Sequence, residues 1–231
     1  MESNKEFKNS NLERKQIIYP AYQTTRRFHN LYSDVRTFVR ELIQNADDAD
    51  AKSIEFKINL PKQIEVVNDG KTFDSNDIER LLTPCLGGKE LDKTGTMNLG
   101  ALSVLSVSDQ PFYHSGNTLL KFEMNHESED FIPYINENYN LHFNGTRLIL
   151  PLHSRLSSDD LKKLDNVDEY LTNYSPLLFT RTLKNITLHC SNKTLELKKT
   201  IESEELFNYN KKQAIMMNVL VSERFIKGKR V

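Results

Sequence analysis

Glu41-Leu42-Ile43-Gln44-Asn45-Ala46-Asp47-Asp48-Ala49 decides how this chain is read, because five polar residues interrupt what is otherwise an apolar helix. At a period near 3.6, Phe38, Leu42, Ile43 and Ala46 line one stripe, while Glu41, Asn45 and Asp48 fall at i, i+4 and i+7 on a neighbouring face. A carboxylate and an amide one turn apart can serve one target. Magnesium prefers hard oxygen ligands and usually takes only one or two from protein, leaving the rest to phosphate and water. Asn45 therefore suits the ion and Glu41 suits a water molecule. The same spacing occurs on solvated helix faces, so the surroundings must carry the reading.

Those surroundings are informative. Ile54, Phe56 and Ile58 alternate with Ser53, Glu55 and Lys57, which predicts a half-buried strand over residues 53–60. A second short strand, 63–68, ends abruptly in Asn68-Asp69-Gly70. Helix, strand, strand and turn in this order bring two polar clusters to one sheet edge. The helix itself is predicted over 31–49, with Ser33 or Asp34 as N-cap.

Further along, Asp74-Ser75-Asn76-Asp77 opens a short helix through Leu82, and Pro84 with Gly87-Gly88 breaks regular structure. Another helix is predicted over 99–107. Strands follow at 112–114, 119–124, 139–143 and 146–150, as a meander beneath a layer of helices. Ser157 and Ser158 cap a helix over 159–174, and strands are expected at 183–189, 193–197 and 214–221.

Size and composition bound the function. The 231 residues, 38% hydrophobic and 27% charged, suffice for one globular core with a smaller subdomain. A net charge of -1 provides no global field to attract nucleic acid or an anionic membrane, so neither is an expected partner. No run approaches the roughly 18 apolar residues of a membrane span, and the polar first sixteen residues contain no export signal. Cys85 and Cys190, without CxxC spacing, read as reduced thiols of a cytoplasmic protein. The six histidines are scattered and read as ordinary surface or core residues. Residues 1–16 are expected to form a flexible arm, 17–152 the main domain, and 153–231 a C-terminal α+β extension that starts a following domain, the chain being the front part of a longer polypeptide.

Glycine adds a further clue, since seven of eight fall within residues 70–145. Gly95-Thr96-Met97-Asn98-Leu99-Gly100 leads directly into an apolar helix, an arrangement that points free backbone N–H groups at a phosphate.

Together these residues resemble the GHKL superfamily of ATPases, the gyrase, ninety-kilodalton heat-shock chaperone, histidine-kinase and MutL group. ELIQNADDA is similar to its N-box. Asn68-Asp69-Gly70 and Gly145-Thr146-Arg147-Leu148-Ile149-Leu150 resemble most closely the heat-shock-chaperone and sacsin-like branch. The resemblance spans residues 30–152 and implies the Bergerat fold: an α+β, two-layer sandwich whose mixed, mostly antiparallel sheet is covered on one face by helices.

It also implies roles. Glu41 is expected to orient or deprotonate the attacking water, and Asn45 to ligate magnesium bridging the phosphates of ATP. Asp48 and Ala49 are expected on the adenine side, with Thr146 contacting adenine through water. Asn68 occupies the place of the family's adenine-reading aspartate, with Asp69 as a substitute one residue on, followed by Gly70. In the phosphate loop Gly95, Asn98, Leu99 and Gly100 stand where the family has GxxGxG, Asn98 replacing the middle glycine. Residues 74–94 correspond to a mobile lid, from which Lys89 or Lys93 either reaches a phosphate or remains a solvated charge.

The function expected is magnesium-dependent ATP binding and slow hydrolysis, with lid closure driving a conformational or dimerisation switch in a larger chaperone-like or defence-type protein. A homodimer is expected with nucleotide bound. The alternatives are a sensor or scaffold that binds ATP or ADP without turnover, and a MutL-like repair ATPase. A histidine-kinase role is not expected, since residues 1–30 show no pattern of a dimerisation helix with a candidate histidine.

Overall fold

The computed structural model describes residues 12–14, 34–82, 100–125, 130–190, 193–209 and 212–227. Among these, the strands are β1 (Glu13–Arg14), β2 (Ser53–Asn59), β3 (Gln63–Asn68), β4 (Phe112–Gly116), β5 (Thr118–Asn125), β6 (Asp130–Asn136), β7 (Phe143–Pro151), β8 (Asn185–Cys190), β9 (Lys193–Tyr209) and β10 (Lys212–Lys227). The α-helices are α1 (Thr37–Asp48), α2 (Ser75–Leu82), α3 (Ser158–Asp165) and α4 (Val167–Tyr174), and Gly100–Ser106 and Pro176–Phe179 form 3-10 turns. All ten strands join one sheet in the order β1-β6-β5-β4-β7-β3-β2-β8-β9-β10. Only β2 and β8 run parallel. The expected α+β class with a mixed, mostly antiparallel sheet is thus what the chain adopts, and the sheet continues through β8, beyond residue 152.

Binary patterning explains the layering. Ile54, Phe56 and Ile58 of β2, Ile64 and Val66 of β3, Leu148 and Leu150 of β7, and Ile186 and Leu188 of β8 are buried in one cluster with Phe38, Val39, Leu42, Ile43 and Ala46 of α1. Leu164, Val167 and Leu171 of α3 and α4 complete it. Each such side chain contributes roughly 1.5–3 kcal/mol through removal from water. The residues between them, such as Glu55, Glu65, Arg147 and His189, point away and pair with one another: Glu65 with Arg147 at 2.8 Å and Glu55 with His189 at 2.8 Å. A smaller cluster on that second face, Phe112, Leu119 and Ile149, packs with Leu12 and Tyr139.

Several expected boundaries shift. Helix α1 begins at Thr37, not near residue 31. Asp34 is bound to Arg36, accepting its backbone N–H at 2.9 Å and its guanidinium at 2.7 Å, and so builds the preceding turn without capping the helix; Ser33 lies outside the described residues. The helix expected over 99–107 is a 3-10 segment, in which the Ser106 hydroxyl donates to Ser103 O at 2.7 Å. Of the strand expected at 139–143, residues 139–142 are irregular and Phe143 already belongs to β7; Tyr139 N donates to Asn117 O, and Asn117 Nδ2 donates to Tyr139 O. Strand β6, not anticipated, lies just upstream.

The single helix expected over 159–174 divides at Asn166. The Cys190 thiol approaches Asp165 O at 3.1 Å, giving a carbonyl released by the break a donor. Ser157 caps α3 with a reciprocal bond to Asp160, as the sequence suggested. β8 starts at Asn185, not 183, because Lys184 N and Asn185 N both donate to Lys52 O. β9 and β10 extend far past their expected ends as a long hairpin.

Candidate functional site

One row of residues crosses the sheet at its polar end. Ser115 of β4 is opposite Thr146 of β7, Thr146 opposite Asn68 of β3, and Asn68 opposite Ile54 of β2. Cross-strand partners share a face, and Ile54 belongs to the helix-covered core. Asn68, Thr146 and Ser115 therefore stand on the helix side, where the apolar layer gives way to polar groups. Helix α1 ends beside them: Lys71 N donates to Ala49 O at 2.7 Å, tying the residues after β3 to the helix terminus.

Hydrogen bonds tie this row together. The Ser115 hydroxyl donates to Gly145 O at 3.1 Å and accepts from Phe73 N at 2.9 Å. Its 2.8 Å contact with the Thr146 hydroxyl can run in either direction, and each hydroxyl oxygen keeps capacity to accept. Asn68 Oδ1 accepts Gly70 N–H at 3.0 Å. Because only the oxygen can accept, this bond fixes which way round the amide sits.

Two glycines allow the close approach. Gly145 has φ +94°, and a Cβ there would lie 2.0 Å from Asn68 O. At Gly70 a Cβ would lie 2.8 Å from Ala49 O and 3.1 Å from Asn68 Oδ1. Both positions are closed to any side chain by backbone of the site itself.

The polar edge of α1 matches its sequence pattern. Asn45 and Asp48 are exposed, Glu41 and Ala49 half-buried, and the apolar stripe is buried. Arg40 donates its guanidinium to Glu41 at 3.0 Å. The 3-10 segment that begins at Gly100 packs directly on α1. Lys89, Lys93, Gly95, Asn98 and Leu99 lie outside the described residues.

Of the paired acidic residues, Asp47 is the one that sequence reasoning passed over. Its carboxylate accepts the backbone N–H groups of Arg181, Thr182 and Leu183 at 2.7–3.0 Å, and the Thr182 hydroxyl at 3.0 Å. Burial pushes the Asp47 carboxyl upward, but the amides of Arg181, Leu183 and Thr182 outweigh it and hold the group at about 2. The signal was available: Asp47 is four residues after Ile43, so it continues the apolar stripe, and a charge there needs buried partners. Asp48 instead faces outward and accepts from the Arg181 guanidinium at 2.8 Å.

Asp69 is likewise engaged. Its oxygens accept from Lys52 N at 2.8 Å, Ser53 N at 2.9 Å and the Ser53 hydroxyl at 2.8 Å. Burial raises this carboxyl, and the Ser53 and Lys52 donors more than reverse the effect. Asn68, not Asp69, thus stands in the row with Thr146. Ser115 was also missed, since a serine in a short strand carries no pattern of its own.

No protein-family model and no curated protein sequence matches the chain. Among the described residues, no group of three His, Cys, Asp or Glu side chains could hold a metal ion. Asn45 is exposed on α1, and a single amide oxygen suits a magnesium ion whose other ligands are phosphate and water. No helix among the described residues is long and apolar enough to cross a membrane.

Proposed function

We propose that this chain is a Bergerat-type ATPase domain that binds MgATP and hydrolyses it slowly, in a chaperone-like or defence-type cytoplasmic protein. The observation that carries the reading is the in-register opposition of Asn68 and Thr146 beside the end of α1. It gathers three separate sequence elements of the resemblance around one polar patch, and the Gly100 segment, a fourth, packs on the same helix.

In this reading the base lies against Asn68 and Thr146, and the phosphates run along the polar edge of α1. Asn45 would hold magnesium, which would supply positive charge to the phosphates. Glu41, one turn earlier, orients the attacking water and accepts its proton. Slow turnover belongs to this reading because phosphoryl transfer depends heavily on a catalytic cation, and the described residues single out none near the phosphates. Nucleotide binding is coupled to homodimerisation, which sedimentation with and without MgATP would register.

Phosphate release by native and Glu41→Ala protein tests the chemistry. Release at least tenfold faster from the native protein is expected. Equal rates, with ATP still bound, would instead favour a sensor that does not turn over. The Arg40 guanidinium on Glu41 supports that second reading, because it competes with water for the carboxylate.

A further inference from the structure

Asn68 combines two properties that bear on which base the site takes. Its Oδ1 spends one lone pair on Gly70 N–H, and a carbonyl oxygen has two. The amide therefore presents an N–H donor beside an oxygen that can still accept. Thr146, whose hydroxyl bonds that of Ser115, adds an oxygen that can accept.

We propose that this pair admits 6-oxopurine as readily as 6-aminopurine nucleoside triphosphates, with Asn68 as the residue that sets the tolerance. The proposal rests on the nucleotide reading above. The 6-edge of adenine carries an acceptor at N1 and donors on the 6-amino group. The 6-edge of hypoxanthine carries the reverse, an acceptor at O6 and a donor at N1. An amide satisfies either: Nδ2–H donates to N1 or to O6, and Oδ1 accepts from the 6-amino group or from N1–H. A carboxylate oxygen set against position 6 only accepts, so it takes a proton from the 6-amino group but meets O6 lone pair to lone pair, which disfavours the 6-oxo base. Asp at this position would still accept Gly70 N–H, so the exchange alters the recognition edge and keeps the turn.

The test is competitive binding of ATP and inosine triphosphate, with magnesium, to the native chain and to Asn68→Asp. These nucleotides differ only at the 6-edge. Native dissociation constants within about tenfold of each other are expected, with the ratio moving toward ATP by tenfold or more in Asn68→Asp. A thermal midpoint unchanged by the substitution would separate recognition from a folding defect. Native protein that binds ATP and rejects inosine triphosphate by more than a hundredfold overturns this inference and leaves the ATPase reading standing. An unchanged ratio in Asn68→Asp also overturns it. Native protein that binds neither nucleotide overturns the ATPase reading itself.

Discussion

The Asp47 carboxylate accepts the backbone N–H of Leu183 at 2.9 Å, across 136 positions of sequence. It joins the end of α1 to the chain just before β8, which pairs in parallel with β2. The same carboxylate also satisfies Arg181 N and Thr182 N. Asp47→Ala would strand three backbone donors around a buried space, and a loss on the order of 3 kcal/mol is expected in urea unfolding. Arg181→Ala, by contrast, removes a side chain that is 69% exposed and leaves the backbone bonds in place. Its cost is expected to stay within about 1 kcal/mol.

Acid sensitivity follows from the same group. Its folded value of about 2 lies below the ordinary 3.8, so the folded state binds the proton less readily than the unfolded chain. The resulting stability is fully present above pH 4 and is lost as pH falls from about 4 toward 2, on the order of 2 kcal/mol in all. Unfolding free energies measured across this window should decline for native protein and decline less for Asp47→Asn.

Gly145 is the sharpest backbone constraint at the site. A Cβ at φ +94° would meet Asn68 O at 2.0 Å, so the strand end carrying Asn68 must move. Gly145→Ala is expected to destabilise by about 2 kcal/mol or more and to weaken ATP binding beyond the native range. Calorimetric titration beside a thermal melt would read both.

Cys190 is buried and free. Burial, and then the charge and hydrogen bond of Asp165, push its thiol up to about 12. In a Cys85→Ser background it should resist iodoacetamide at pH 8 while folded and react promptly in denaturant. Fast labelling of the folded protein would refute this account of its surroundings.

How far the fold could be read in advance depended on periodicity. The apolar stripe of α1 and the alternation of 53–59 were plain because each buries one face against the other. β6 was hidden by Pro133, which ordinarily argues against a strand. Among the described residues β1 pairs with Tyr134 and Ile135, and Pro133 stands opposite Phe122 of β5. The division at Asn166 turned on a bond from Cys190 to Asp165, 25 positions away, and the start of α1 on the local bonds of Asp34, and no pattern announces either. The row of Asn68 and Thr146 was foreshadowed only by resemblance between distant segments, since register across strands is a tertiary property. Asp47 was legible as a charge on an apolar stripe, and its partners were not, being 134 to 136 positions away.

The central claim is that MgATP binds between the polar edge of α1 and the Asn68–Thr146 row. Isothermal titration of the chain with ATP in magnesium, native beside Asn45→Ala, tests it most directly. Saturable binding by native protein is expected, weakened about tenfold or more in Asn45→Ala when magnesium is present and little changed when it is chelated. The absence of measurable heat and of competition by either ATP or ADP with native protein would contradict the claim.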